Sequence, residues 1–290
     1  MVKTMLASAR AECYNAGADD YREGTCVRPE GDFKKVLLTL EYDGSEFAGW
    51  QRQARFRTIQ GEVEHALERA LGRETTLWGA SRTDAGVNAT GQRAHFYNLS
   101  TIPTEKFPFV LNTMLPSDIR VRAAREIPDS IHARFSCRGK IYTYRIWNNR
   151  HASAMRRHFT THIPVPVDEY KMQQAALRMI GCHDFAAFQS AGGTAKTTVR
   201  HIFGIDIDRS GDDVTMVVRG SAFLYNMVRI MAGTLIAIGQ DRLSPDCIDE
   251  ALATGNRLVL GVTAPPEGLE LTRIFYDLEG DRPPEDMHIG

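Results

Sequence analysis

The chain has 290 residues, a formal net charge of −1 and 43% hydrophobic residues. That is enough apolar material for two domains or one large one. With charge so nearly balanced, any polyanionic partner must be met by basic residues grouped locally. The five cysteines (13, 26, 137, 182 and 247) form no C-x-x-C pair. Their spacing argues against a zinc site or a disulfide framework and for reduced thiols in an intracellular compartment. No apolar run approaches the ~20 residues that span a bilayer. The N-terminus has no secretory core, so a cytoplasmic location is expected, with an organellar address in residues 1–34 left open.

In chain order, residues 1–34 mix charge with Gly and Ala and read as a flexible extension. Lys35–Tyr42 is a strand closed by Asp43-Gly44. The following segment sets Arg52, Arg55 and Arg57 among aromatics with no acid, which suits either a nucleic-acid surface or a solvated loop with its rings tucked inward. Thr58 caps a helix to Leu71 whose stripe is Ile59, Val63, Ala66, Leu67, Ala70 and Leu71, and Gly72 stops it. Strands are expected at 75–78 and 92–97, a helix from Thr104 to Met114, and a strand at 119–127. That order is β-α-β-β-α-β.

The pattern then recurs. Strand 140–147 puts Tyr142, Tyr144 and Ile146 on one face. Asp168 caps a helix closed by Gly181, and a hairpin of strands 199–208 and 214–219 turns at Ser210-Gly211-Asp212. A helix at 224–239, a short helix from Ser244-Pro245 and a last strand at 269–278 complete it. The expectation is an α+β protein of two ferredoxin-like subdomains, 35–138 and 139–280, followed by a tail at 281–290. Their sheets either join or face each other around a central cleft.

Cofactor motifs are missing. There is no phosphate loop and no H-E-x-x-H, and Gly192-Gly193 is not in dinucleotide spacing. The nine histidines show no ligand spacing, so neither a metal nor a cofactor is expected. What remains is a polar, glycine-bearing loop, Ala80 to Gly91, between two strands. Asp84 sits at its centre with Arg82 two positions before it. A carboxylate on a loop held by rigid strands is a common place for chemistry. Tyr142 on the first strand of the second half, and Arg229 off the apolar stripe of its helix, are compatible with the same site. Taken singly, each has an ordinary alternative: a plain turn, a sheet-core tyrosine, a helix-surface arginine.

Five ordered motifs join these residues. Arg82-Thr83-Asp84-Ala85-Gly86-Val87, followed by Gly91-Gln92 and Ala94-His95-Phe96, resembles the catalytic segment of the TruA family of tRNA pseudouridine synthases. Tyr42-Asp43-Gly44 with Phe47, Gly49, Trp50 and Gln51 resembles that family's opening motif, and Thr58-Ile59-Gln60-Gly61 with Glu64 its second. Ala133-Arg134-Phe135-Ser136, leading to Lys140, Tyr142 and Tyr144-Arg145-Ile146, resembles its central segment. Phe223-Leu224-Tyr225 with Met227-Val228-Arg229 resembles the helix that carries its basic partner. Ser81 stands where the family usually has Gly, and Asn88 where it usually has His; both leave the acid intact.

The resemblance implies a pseudouridine synthase fold and isomerisation of uridine to pseudouridine in the anticodon stem-loop of tRNA, without a cofactor. It implies Asp84 as nucleophile or as an aid to elimination at the sugar, Tyr142 packed on the uracil, and Arg229 holding the acid ionised. Arg82 takes the place of the extruded base. From charge, the basic segments Arg52, Arg55, Arg57 and then Arg138, Lys140, Arg150, Arg156 and Arg157 are available for phosphates, and Arg145 is expected to contact RNA with them. A homodimer with tRNA lying across both subunits is also implied. The alternatives are an RNA-binding relative without turnover, and a glycosidase, which needs a second acid about 5–10 Å from Asp84.

Overall fold

The computed structural model describes residues 30–287, so most of the segment expected to be a flexible extension lies outside the described residues. β1 (Lys34–Tyr42) is buried almost throughout because it has a strand on either side and helices above. α1 (Ile59–Leu71) starts where Thr58 accepts a hydrogen bond from the Gly61 amide, and it ends at Gly72 in the left-handed region at φ 67.

β2 (Trp78–Gly79) is shorter than expected. The Leu77 amide donates to Glu64 Oε1 and its carbonyl accepts from Gln60 Nε2, both at 3.0 Å. Two side chains of α1 thereby occupy the groups that a neighbouring strand would have used. β3 (Asn88–Asn98), in contrast, begins four residues before Gln92, because its first residues find a distant partner. A 3-10 turn (Thr104–Lys106) precedes α2 (Phe107–Asn112), with Pro108 in the first turn, so the expected single helix is split. β4 (Ile119–Glu126) completes the first half.

The second half contains β5 (Cys137–Trp147), β6 (Thr161–His162) and α3 (Glu169–Ala176), the last capped by Asp168. β7 (Gly181–Asp184) and the hairpin β8 (Val199–Ser210) and β9 (Asp213–Gly220) follow. α4 (Met227–Gly239), α5 (Asp246–Thr254) and β10 (Leu269–Tyr276) end the pattern. α4 starts later than expected because Asn226 precedes it in the left-handed region, at φ 61. The boundary expected between 138 and 139 falls inside β5.

One ten-stranded sheet runs β4-β1-β3-β10-β5-β9-β8-β7, with β2 on β3 and β6 on β5. Each half repeats one order, β4-β1-β3-β2 and β10-β5-β9-β8. The halves therefore join and do not face each other. The join is short and parallel: Asn88 pairs with Glu270 and Ala89 with Leu271. Farther along, the same edge of β3 pairs with β2, at His95 and Ala94. Between its two partners the edge is open, and the Asp84 loop occupies that opening.

Residues 281–287 pack on this frame. Asp281 is buried and pairs with Arg93 at 2.8 Å and Arg125 at 2.5 Å. Cys137 and Cys247 are free, but Cys182 is disulfide-bonded, which corrects the expectation of reduced thiols throughout. Among the described residues no helix is long and apolar enough to cross a membrane. None of their His, Cys, Asp and Glu residues form a cluster that could hold a metal ion.

At the join Gly91 touches β10 so closely that a Cβ there would lie 2.0 Å from the Thr272 carbonyl oxygen. Gly91→Ala is expected to push the two strands apart and destabilise the protein by about 3 kcal/mol, read as a fall in the midpoint of thermal or urea unfolding.

Candidate active site

The loop from Ala80 to Val87 is fixed by its flanks. Trp50 donates its amide to the Thr83 carbonyl at 3.0 Å, and Gly86 donates to Phe47 O at 3.3 Å. Gly49, at φ 94, lets the two segments meet; a Cβ there would lie 2.8 Å from Thr83 O. Thr83 Oγ1 and Tyr42 Oη are 2.7 Å apart. Gln92, fully buried in β3, donates Nε2 to Ser81 O at 2.7 Å and accepts from the Ser81 amide at 3.3 Å. A side-chain amide thus stands in for a missing strand.

These bonds hold the residues around Asp84 and leave its carboxylate turned to the second half. Arg229 Nη1 lies 3.7 Å from Asp84 Oδ2, and the side chains are 15% and 19% exposed. The guanidinium is itself aimed: Nε donates to Ala264 O and Nη1 to Asn226 Oδ1, both at 2.7 Å. The left-handed Asn226 that delays α4 is therefore also a support of Arg229. Burial pushes the Asp84 carboxyl up, and Arg229 only partly offsets it. The expectation that Arg229 holds the acid low is corrected accordingly: the arginine opposes a larger effect.

Tyr142 reaches the loop from β5. Its hydroxyl is 3.0 Å from Ser81 Oγ, and its ring meets Phe223 edge-on at 5.1 Å. Burial raises its phenol above the usual value. Lys140, two residues earlier on the same face of β5, donates Nζ to Ala80 O at 3.0 Å and to Ser81 Oγ at 3.2 Å. These groups border a cleft of about 760 Å³, large enough for a nucleotide and its neighbours, whose wall includes Arg82, Asp84, Lys140, Tyr142 and Phe223.

Of the residues singled out from sequence, Asp84, Tyr142, Arg82, Arg138 and Lys140 line this cleft, and Arg229 meets the acid from the side. The structure does not bring the other arginines there. Arg57 pairs with Glu62 at 2.9 Å and Asp118 at 2.7 Å and covers the Phe47 ring. Arg52 pairs with Glu64 at 3.2 Å, and Arg55 is exposed away from the cleft wall. Arg145 pairs with Glu270 at 2.7 Å, on the face of β5 opposite Tyr142. The basic residues that do line the cleft include Arg134, Arg138, Lys196 and Arg200. Lys196 belongs to the Gly192-Gly193 loop, where a lysine three residues after paired glycines was the available signal.

The two departures from the family pattern have different consequences. Asn88 is a brace: Oδ1 accepts from the Gly44 amide at 2.8 Å, and Nδ2 donates to His158 O at 2.8 Å and Glu267 O at 3.1 Å. Ser81, by contrast, touches the site. Besides Asp84, the carboxylate lining the cleft is Asp277, engaged with Arg138 at 2.6 Å.

A family model described as tRNA pseudouridine synthase matches residues 39–136 and 175–277. The chain belongs to the tRNA pseudouridine synthase family. Within it, a protein called tRNA pseudouridine synthase A from Ruminiclostridium cellulolyticum is 43% identical over 244 residues, covering 84% of this chain and 100% of that protein. tRNA pseudouridine synthase A 2 from Clostridium tetani is 44% identical over 246 residues, covering 84% of this chain and 99% of that protein. A solved H/ACA ribonucleoprotein bound to a substrate RNA containing 2′-deoxyuridine gives a TM-score of 0.34 at 15% identity, over 70% of this chain and 44% of that one.

Asp84 carries a testable cost. Its folded carboxyl titrates above the ordinary 3.8, so the folded state binds more protons than the unfolded state across that window, and stability falls as pH rises through it. Asp84→Asn is expected to raise the unfolding midpoint at neutral pH. The gain should vanish below the ordinary carboxyl range, as differential scanning calorimetry across pH would show.

Proposed function

We propose that the protein isomerises uridine to pseudouridine in tRNA, with Asp84 as the group that acts at the sugar. The observation that carries this reading is an acid on the wall of a cleft of nucleotide size, with an aimed guanidinium at 3.7 Å and the Tyr142 phenol lining the same cleft. The name shared by the relatives points to the same substrate. The uridines we assign are those of the anticodon stem-loop, bound by a homodimer with the tRNA across both subunits.

The reaction breaks the N1–C1′ bond, turns the uracil, joins C5 to C1′ and removes the C5 proton. An ionised Asp84 is the nucleophile at C1′, or it assists departure of the uracil. Arg229 supplies the charge that makes an ionised acid tolerable where burial opposes it. Tyr142 packs on the detached base, with Phe223 against its ring to hold it upright. Extruding the uridine costs a few kcal/mol, which phosphate contacts offset. Arg82, exposed on the cleft wall, fills the space the base leaves. Lys196 and Arg134 extend the cationic wall along the RNA backbone.

The glycosidase reading lacks a free second acid, since Asp277 is paired with Arg138. An RNA-binding relative without turnover remains a defined outcome of the same experiment. Asp84→Asn is expected to bind tRNA with unchanged affinity and to lose pseudouridine formation by on the order of 10⁴-fold or more, measured by tritium release from 5-labelled uridine. Near-normal turnover would reject the role given to Asp84, and a wild-type protein that binds tRNA without releasing tritium would establish the inactive relative. Arg229→Gln removes the opposing cation, so the acid limb of the kcat/KM profile is expected to move to higher pH.

A further inference from the structure

Ser81 is the one residue of the loop whose side chain meets both Tyr142 and Lys140. Its Oγ is 3.0 Å from the Tyr142 hydroxyl and 3.2 Å from Lys140 Nζ. It is held in place from behind, since its amide and carbonyl are both bonded to the Gln92 side chain. The three groups form a line from the cleft wall into the protein: phenol, hydroxyl, amine. Lys140 lacks a carboxylate partner here; Ala80 O is its other acceptor. A phenol that is to receive a proton from the base needs an outlet for its own.

We propose that Ser81 is a positioning residue that connects Tyr142 to Lys140 and lets the pair remove the C5 proton once C5 has bonded to C1′. The inference rests on the reaction assigned above and adds the route that the proton takes. As the C5–H bond breaks, its proton goes to the Tyr142 oxygen. The electron pair restores the C5=C6 double bond and moves the C6=N1 pair onto N1, which takes a proton from solvent. Tyr142's own proton passes to Ser81 Oγ, and the proton of Ser81 passes to Lys140 in its amine form. The ring ends neutral, and Lys140 ends as an ammonium that solvent later discharges.

The surroundings favour this direction. Burial pushes the Lys140 ammonium down, Arg134 and Arg200 act the same way, and Cys137 opposes them. Burial raises the Tyr142 phenol; Tyr42, Asp84 and Cys137 add to the rise, and the Ser81 hydrogen bond opposes it. A free phenolate is therefore disfavoured, and concerted transfer through Ser81 avoids forming one.

The test is a single-turnover measurement with tRNA carrying uridine or 5-deuterouridine, comparing wild type, Ser81→Ala, Ser81→Thr and Lys140→Met. For wild type a small isotope effect is expected, with proton removal following slower steps. Ser81→Ala is expected to bind tRNA normally, to lose about tenfold in rate and to show a larger isotope effect. Ser81→Thr, which keeps the hydroxyl, restores both values. Lys140→Met shows the enlarged isotope effect and loses the acid limb that Lys140 imposes on this step. A Ser81→Ala rate within twofold of wild type overturns the proposal, and so does a slower rate with an unchanged isotope effect. Failure of wild type to form pseudouridine at all would instead overturn the parent reading.

Discussion

Two residue pairs between β3 and β10, Asn88 with Glu270 and Ala89 with Leu271, are the strand pairing that joins the sheets of the two halves. The site depends on that contact. Asp84 comes from the first half, and Tyr142 and Arg229 come from the second, so no reacting pair exists until the strands meet. Because the pairing is short, the edge of β3 stays open beyond it. An open strand edge inside a sheet exposes unpaired backbone, and here the Arg93 carbonyl accepts from the Ala80 amide of the loop while the Arg93 amide donates to the Gln92 side chain. The same economy leaves room for a cleft.

Electrostatics in the cleft follows one rule applied three times. Burial disfavours the charged form of Asp84, of Tyr142 and of Lys140, and each meets a partner that partly opposes it: Arg229 for the acid, Ser81 for the phenol and Cys137 for the amine. Groups poised this way change protonation state readily when a substrate displaces water. That suits a reaction whose net result is to move one bond and one proton without adding an atom.

Much of this was legible in the chain. α1, the β8–β9 hairpin and the alternation of Tyr142, Tyr144 and Ile146 follow from local periodicity and capping, and they stand close to where expected. The length of β2 was hidden because Glu64 and Gln60 capture Leu77 from a helix, a contact that strand propensity does not encode. The early start of β3 was hidden because its partner lies about 180 residues away. In the site, Asp84, Tyr142 and Arg229 could be grouped only through the ordered motifs. Composition pointed to Arg52, Arg55 and Arg57, but neighbouring acids neutralise two of these. Ser81 looked like a small departure and proved to be a contact of Tyr142, since a hydroxyl's value depends on what stands opposite it.

β10 is the last strand of the chain, yet it lies in the middle of the sheet, between β3 and β5. A ribosome releases it after every other strand has emerged. Until then β3 and β5 have no bridge, and an RNA that met the nascent chain would find half a groove. The residues that follow, with Asp281 locked by Arg93 and Arg125, secure the insertion once β10 is in place. Competence to handle RNA is thus withheld until that strand has emerged and paired.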